Sequence, residues 1–148
     1  MSWAGKQSFK DYFRSLFPPR EQAPSFSVGS SSRELMPHTV EKVEQLLQAW
    51  IRGKGYRMPD RSIEEAARRI GTDSATLYHY FCAHGEDFRS FRTRLRIEDA
   101  MAQLRAEPST PASTIAHRVG YRDRSNFTRH FKAHTGLTPD AWRKSVEK

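Results

Sequence analysis

From about Glu34 onwards, apolar residues recur at the three- and four-residue spacing of one helix face. This spacing predicts about seven helices, separated by glycine, proline or capping residues. The apolar positions that define the helices are Val40, Val43, Leu46, Leu47, Trp50, Ile51, Ile70, Leu77, Phe81, Phe91, Leu95, Ala100, Leu104, Phe127, Phe131 and Trp142. No segment shows the alternation of a half-buried strand, so the sequence predicts an all-α fold.

Local signals predict where the helices begin and end. Ser62-Ile-Glu-Glu65 is a capping box, in which the serine accepts from a free helix N–H and the glutamate reaches back. Asp73 and Asp123 are expected to cap two further helices. Thr110-Pro111 and Thr138-Pro139 are expected to start two others, because proline is tolerated at a first helical position. The predicted stops are Gly53, Gly55, Gly71, Gly85, Gly120 and Gly136.

Residues 1–33 differ from the rest of the chain. Phe9, Phe13, Leu16 and Phe17 have helical spacing, with Lys6, Lys10 and Arg14 among them, and Pro18-Pro19 follows. We expect a short basic amphipathic segment and then a flexible linker. The segment is interpreted either as a loosely ordered lead-in or as a docking element for a partner, a membrane or the domain itself. The predicted division is a flexible segment, 1–38, and a folded domain, 39–148.

The domain contains an internal repeat, formed by residues 66–85 and 115–136. Each copy has an alanine, then a branched aliphatic residue and glycine, then an apolar residue four positions before a phenylalanine. The small alanine allows two helices to cross closely, and the glycine tolerates the positive φ of a tight turn. The second copy has one extra residue in its turn.

This repeat predicts two helix-turn-helix units, whose second helices cover about 73–84 and 124–134. Such a helix enters the DNA major groove. A plain bundle of helical hairpins is the alternative, but two copies with basic outward positions favour DNA binding. The connecting helix, from about Asp87 to Ala106, would be about 30 Å long. Successive major grooves on one DNA face are about 34 Å apart, so one chain is expected to read two adjacent segments.

Charge and composition support a polyanionic partner. The chain of 148 residues carries a net charge of +8, with a pI of about 10.0. Eight basic and three acidic side chains fall in residues 117–148, a net +5. The only cysteine is Cys82, so no disulfide forms within the chain, and no apolar run is long enough to span a bilayer. We expect a cytoplasmic protein.

Residues from about Thr39 to Lys144 resemble the DNA-binding domain of the AraC/XylS family of bacterial transcription regulators. The most specific matches are Arg96-Ile97-Glu98-Asp99-Ala100, Leu104, Ile115-Ala116, Val119-Gly120-Tyr121, Ser125, Phe127, Arg129, Phe131-Lys132, Gly136, Thr138-Pro139 and Trp142-Arg143. The resemblance implies seven helices in two helix-turn-helix subdomains joined by a long linking helix. It also implies promoter binding and contact with RNA polymerase, usually for activation. Only about 38 residues precede the match, so we expect either a stand-alone regulator or the output part of one with a sensor domain or dimer partner.

The resemblance places base contacts on the outward positions of both recognition helices: Ser74, Ala75, Tyr78, His79, Arg124, Ser125, Asn126, Thr128 and Arg129. Arg129 and Asn126 rank highest, because arginine reads guanine and asparagine reads adenine with two hydrogen bonds each. The first set lacks a firm charge, so the first unit is expected to contribute shape and weaker preferences. Expected phosphate contacts are Ser62, Ser113, Lys132, Thr138 and Arg143. We expect Arg96 to have a structural role.

Two other classes of function compete with DNA binding. His79, Cys82 and His84 form one cluster, and His130 and His134 form another, but neither has a full set of metal ligands at suitable spacing. No cofactor is expected, and no catalytic constellation points to an enzyme. The remaining alternative is a protein-interaction module, whose basic face binds an acidic partner or a membrane and shows little preference among DNA sequences.

Overall fold

A computed structural model describes residues 35–146, together with Ser15 and Leu16. Within these residues there are seven α-helices and no strand, which confirms the predicted fold class. The helices are α1 (Pro37–Arg52), α2 (Ile63–Ile70), α3 (Ser74–Ala83), α4 (Phe88–Ala106), α5 (Ala112–Arg118), α6 (Arg124–Thr135) and α7 (Pro139–Val146), with a 3-10 turn at Gly55–Arg57.

Side-chain caps start the helices largely where the sequence predicts them. The Glu65 backbone N–H donates to Ser62 Oγ at 3.2 Å, but the Glu65 carboxylate accepts from the Arg61 N–H at 2.8 Å instead of that of Ser62. Asp73 accepts from the Thr76 N–H at 2.8 Å, and Asp123 caps α6 in the same way. These carboxylates satisfy backbone donors that would otherwise have no partner.

The two predicted proline starts differ by one residue. Pro139 occupies the first position of α7, and Thr138 Oγ1 accepts from the Ala141 N–H at 3.2 Å. Pro111 instead precedes α5 as its N-cap, with φ −58° and ψ 143°, so the helix begins at Ala112. A proline ring fixes φ but leaves ψ free, and the extended ψ at Pro111 moves the start one residue along.

The predicted amphipathic N-terminal segment and linker lie outside the described residues, except for Ser15 and Leu16. The Leu16 side chain is buried. The division of the chain at residue 38 stays a prediction.

The described residues fall into two compact units. The first comprises residues 35–55 and 60–91, and the second comprises 56–59 and 92–146. In the first unit α1, α2 and α3 pack on one another. The start of α4 packs on this group through aromatic rings, with Phe81 lying 5.7 Å from Phe88 and 5.0 Å from Phe91 between ring centroids. The predicted inward positions Leu77 and Phe81 are buried.

The second unit has one continuous apolar core, built from α4, α5, α6 and α7. Its members are Ile97, Ala100, Leu104, Ile115, Ala116, Val119, Tyr121, Phe127, Phe131 and Trp142. The Phe131 ring packs edge-on against Trp142, with centroids 5.8 Å apart, and at a tilt against Phe127, with centroids 5.7 Å apart. Each of the four predicted core residues, Leu104, Phe127, Phe131 and Trp142, is therefore confirmed.

Two charged side chains on α4 are buried in the second unit, Arg96 and Asp99. Both hold the short segment 56–59, which lies about 40 residues earlier in the chain. Arg96 donates to the carbonyl oxygens of Tyr56 at 2.6 Å and Met58 at 2.7 Å. Asp99 accepts from Tyr56 Oη at 2.9 Å and from both Nε and Nη2 of Arg57, at 2.6 and 2.9 Å. The predicted structural role of Arg96 agrees with these contacts.

The partners of Asp99 keep its carboxylate ionised despite burial. Burial alone would raise the pKa of Asp99, but hydrogen bonds from Arg57, Gln103 and Tyr56 outweigh it and lower the pKa below the ordinary value. A lowered carboxyl pKa in the folded state stabilises the fold above the unfolded pKa of about 3.9. That contribution is lost as the pH falls through the folded pKa.

We expect Asp99→Asn to lower the free energy of unfolding at neutral pH by about 1–3 kcal/mol, because hydrogen bonds to a charged acceptor are replaced. Urea denaturation at pH 7 and below about pH 4 would measure the effect, and the deficit should shrink in acid because protonated Asp99 resembles asparagine. Glu41→Gln, at an exposed position of α1, is the control and should change little. An Asp99→Asn deficit that is equally large at both pH values would contradict the assignment.

Candidate nucleic-acid interface

The two copies of the repeat form matching helix-turn-helix units. In the first unit α2 leads through a turn to α3, and the Thr72 N–H donates to the Ala67 carbonyl at 2.9 Å. In the second unit α5 leads to α6, and the Tyr121 N–H donates to the Ala116 carbonyl at 3.0 Å. Both bonds span five residues, the pattern of a Schellman C-cap, and they close each first helix in the same way.

Each turn depends on a glycine with positive φ, as the sequence predicts. Gly71 has φ +108° and Gly120 has φ +110°. A Cβ at Gly71 would meet only the flexible Leu46 side chain, at 3.3 Å. A Cβ at Gly120 would meet the Arg57 carbonyl oxygen at 2.6 Å, so this turn has no room for any side chain.

The outward face of α6 carries most of the predicted base-contacting residues of the second unit. Arg124, Ser125 and Arg129 are exposed, and Asn126 and Thr128 are half-buried. Lys132 is exposed and extends the same stripe by one turn. The inward positions Phe127 and Phe131 are almost completely buried, so the helix is anchored on one side and open on the other.

Two of these side chains are joined directly. Arg129 Nη2 donates to Asn126 Oδ1 at 2.6 Å, across three residues of one helix face. Residues at this spacing are neighbours on a helix surface. The two candidates that rank highest as base readers therefore form a hydrogen-bonded pair.

A part-buried polar contact supports the flank of α6. The Tyr121 hydroxyl lies 2.8 Å from His130 Nδ1, and the Arg96 guanidinium lies over the Tyr121 ring at 5.6 Å. Burial first, and then the charges of Arg129 and Arg96, lower the pKa of His130. A neutral imidazole can accept the hydroxyl proton at Nδ1, and burial raises the pKa of Tyr121, which keeps that proton on the hydroxyl. Sequence reasoning missed this contact, although His130 adjoins the buried Phe131.

The outward face of α3 has a different chemistry. Ser74 and His79 are half-buried, Ala75 is exposed, and Tyr78 is 60% exposed. A hydrogen bond with the Cys82 thiol raises the pKa of Tyr78. Tyr78 and Cys82 also line a mainly apolar cavity of about 360 Å³ beside Phe88. The four predicted contact positions carry no arginine or lysine, so this face lacks the positive charge of the α6 face.

The predicted phosphate-contacting residues lie in different settings. Lys132 and Ser113 are exposed. Ser62 and Thr138 cap α2 and α7 through their oxygens, which leaves each hydroxyl hydrogen available as a donor. The Arg143 guanidinium donates to the carbonyl oxygens of Glu107 and Thr110, so it fastens α7 to the loop after α4.

The segment that sequence reasoning missed is 56–59. Asp99 follows Leu95 by four residues, so it lies on the buried stripe of α4, and a carboxylate there requires partners. That position is a signal in the sequence for a buried polar contact. Nothing in the sequence identifies Tyr56 and Arg57 as the partners.

Metal-site and membrane-spanning features are both absent from the part of the chain that the structure describes. No group of three or more histidine, cysteine, aspartate or glutamate side chains converges there into a potential metal site. No helix of that part of the chain is long and apolar enough to cross a lipid bilayer.

A family model described as a helix-turn-helix domain matches residues 66–145. The uncharacterized transcriptional regulatory protein YesN of Bacillus subtilis (strain 168) is 39% identical over 61 residues, covering 40% of this chain and 17% of the relative. The raffinose operon transcriptional regulatory protein RafR of Pediococcus pentosaceus is 31% identical over 86 residues, covering 57% of this chain and 31% of the relative. The match therefore spans less than a third of either relative.

One solved structure has a closely similar fold. It is the C-terminal domain of AraT, a response regulator from Geobacillus stearothermophilus. The TM-score is 0.60 at 27% sequence identity, and the alignment covers 75% of this chain and 87% of that domain.

We expect Gly120→Ala to destabilise the fold much more than Gly136→Ala. Gly136 has φ +85° with open space around its Cβ position, so alanine there incurs only the left-handed backbone strain of about 1–2 kcal/mol. At Gly120 the steric clash with the Arg57 carbonyl adds roughly 1–3 kcal/mol. Thermal and urea unfolding of both variants measure the difference. Equal losses would show that the close approach of segment 56–59 to this turn is wrong.

Proposed function

The chain belongs to the AraC-type helix-turn-helix family of transcription regulators, and from that premise we propose that it recognises specific double-stranded DNA sequences. The observation that carries the proposal is the α6 stripe of Arg124, Ser125, Thr128, Arg129 and Lys132, which is open on one side while Phe127 and Phe131 anchor the other. A helix held in this way presents donors to base edges and phosphates without rearrangement. An exposed basic recognition helix is the element that enters a major groove.

In this proposal α6 makes most of the base-specific contacts and α3 makes fewer. Bases are read mainly from Arg124, Ser125, Asn126, Thr128 and Arg129 on α6, with Arg129 as the principal reader. On α3 the candidate contacts are Ser74, Ala75, Tyr78 and His79. A methyl group and an aromatic ring fit thymine methyls and groove shape, and they supply no firm charge.

Phosphate contacts are proposed for Lys132 and for the hydroxyls of Ser62, Ser113 and Thr138 near helix N-termini. Such contacts set the register of a protein on the duplex and carry no sequence information. Because the Arg143 guanidinium already donates to two backbone carbonyls, we assign it to positioning α7 and leave it out of the phosphate set.

We further propose that one chain reads two successive major-groove segments. The linking helix α4 has 19 residues and is about 28 Å long, close to the spacing of about 34 Å between successive major grooves on one face. A site of this kind would comprise two short sequence elements one helical turn apart.

Other partners are proposed from the relatives. YesN and RafR are named transcriptional regulatory proteins, and the AraT domain belongs to a response regulator. We propose that this chain acts in the bacterial cytoplasm as the DNA-binding output of such regulation, with RNA polymerase and a sensor domain or second copy as further partners. A pull-down of RNA polymerase on promoter-bound chain tests the first of these partners.

Selection of binding sites from a random duplex pool tests the proposed function directly. We expect enrichment of two short elements one turn apart, and an affinity for the selected duplex that falls steeply with salt because phosphate contacts release counterions. Enrichment of one element alone would limit base reading to α6. If no sequence is enriched over random duplex, the regulator proposal fails and an interaction module with an acidic partner replaces it.

Removal of Arg129 and of Lys132 should have different signatures. Arg129→Ala should weaken binding to the selected duplex by about 1–3 kcal/mol and relax preference at one base pair. Lys132→Ala should weaken all duplexes alike and reduce the magnitude of the salt slope by about one. The control is Lys42→Ala, which removes the same charge from an exposed position on α1 and should leave binding unchanged. Titrations of each variant against selected and base-substituted duplexes measure these effects.

A further inference from the structure

We infer that Asn126 is a positioning residue for Arg129, and that the pair reads a guanine as one unit. This inference rests on the proposed DNA-binding function and deepens it. By hydrogen-bonding chemistry alone, Asn126 would read adenine and Arg129 would read guanine, each independently of the other. The structure instead joins them through the 2.6 Å hydrogen bond from Arg129 Nη2 to Asn126 Oδ1.

The hydrogen bond from Arg129 fixes the orientation of the Asn126 amide. To read adenine, an asparagine must accept with its side-chain oxygen and donate with its amide nitrogen at the same time. The Asn126 oxygen accepts from the guanidinium through one of its two lone pairs. A hydrogen bond from a charged donor is roughly twice as strong as one from a neutral donor such as the adenine amino group. The bond from Arg129 is therefore stronger than a bond from adenine to this oxygen, which favours a positioning role over adenine reading.

The guanidinium keeps the groups that guanine requires. Arginine has five N–H donors in a rigid planar fork, and the bond to Asn126 uses one of them. The guanidinium has two edges with paired donors, one formed by Nε and Nη2 and the other by Nη1 and Nη2. Nη2 contributes one hydrogen to each edge, so the edge that Asn126 does not occupy keeps two parallel donors. Two parallel donors match guanine O6 and N7.

Burial and side-chain length indicate which residue of the pair is fixed and which is oriented by it. Asn126 is half-buried and lies in the first turn of α6, while Arg129 is exposed at the end of a long side chain. The short side chain is thus the fixed member of the pair. Its oxygen restricts the rotamers of the arginine before DNA arrives, which reduces the ordering cost that binding would otherwise include.

The experiment is a double-mutant cycle on the duplex selected by the full chain. Wild type, Asn126→Ala, Arg129→Ala and the double variant are titrated against that duplex and against every single base-pair substitution. We expect Asn126→Ala to reduce discrimination about 3–10-fold, the size expected when one side chain regains its rotamer freedom. The loss should fall at the same G·C pair that Arg129→Ala relaxes. In the Arg129→Ala background, Asn126→Ala should have no further effect.

Asn126→Asp separates positioning from adenine reading. Aspartate keeps the acceptor for Arg129 but lacks the donor that adenine N7 requires. We expect it to retain the guanine preference while its added negative charge weakens binding to all duplexes alike. Loss of an adenine preference at a second base pair in Asn126→Ala and Asn126→Asp, or additive effects in the double variant, would overturn the inference.

Three results can be told apart: a variant that does not fold, a chain that selects no DNA sequence, and an Asn126 that does not position Arg129. Thermal unfolding of each variant shows whether the fold is kept, and circular dichroism shows whether the helical content of the chain is unchanged. If wild type selects no sequence at all, the proposed function itself fails. If wild type selects a site but the two residues affect different base pairs, only the positioning role of Asn126 is wrong.

Discussion

The second unit depends on the hydrogen bonds between α4 and segment 56–59. Arg96 and Asp99 are charged and buried, a placement that costs free energy unless every group finds a partner. They obtain partners from two carbonyl oxygens, a tyrosine hydroxyl and the Arg57 guanidinium. An isolated helix cannot supply these groups, so the long linking helix and this segment stabilise each other.

The same contact extends to α6. The carbonyl oxygen of Arg57 lies so close to Gly120 that this position admits no side chain. The next residue, Tyr121, lies beneath the Arg96 guanidinium and its hydroxyl reaches His130 on the flank of α6. A series of polar contacts therefore connects α4 to the helix that presents Arg129.

The two helix-turn-helix units share a backbone design and differ in surface chemistry. In both, the carbonyl of a buried alanine accepts a hydrogen bond from the backbone N–H five residues later, and an aspartate caps the second helix. The α6 face carries Arg124, Arg129 and Lys132, whereas the corresponding α3 face has no arginine or lysine. The turns of the two units are alike because backbone geometry requires them. The outward positions can differ because exposed side chains contribute little to the stability of the fold.

Local spacing predicts the helices, most of their caps, the two glycine turns and the inward phenylalanines, because these features follow from helical periodicity and from the φ angles that glycine tolerates. The outward positions of α3 and α6 are those that remain once the apolar stripe is assigned. The packed structure was needed to show that Asp99 meets Tyr56 and Arg57, and that His130 meets Tyr121. It was also needed to show that Asn126 accepts from Arg129, because the spacing permits several bonds and the side-chain conformations choose one. Contacts between residues far apart in the chain depend on how helices pack, and no local pattern encodes the partner.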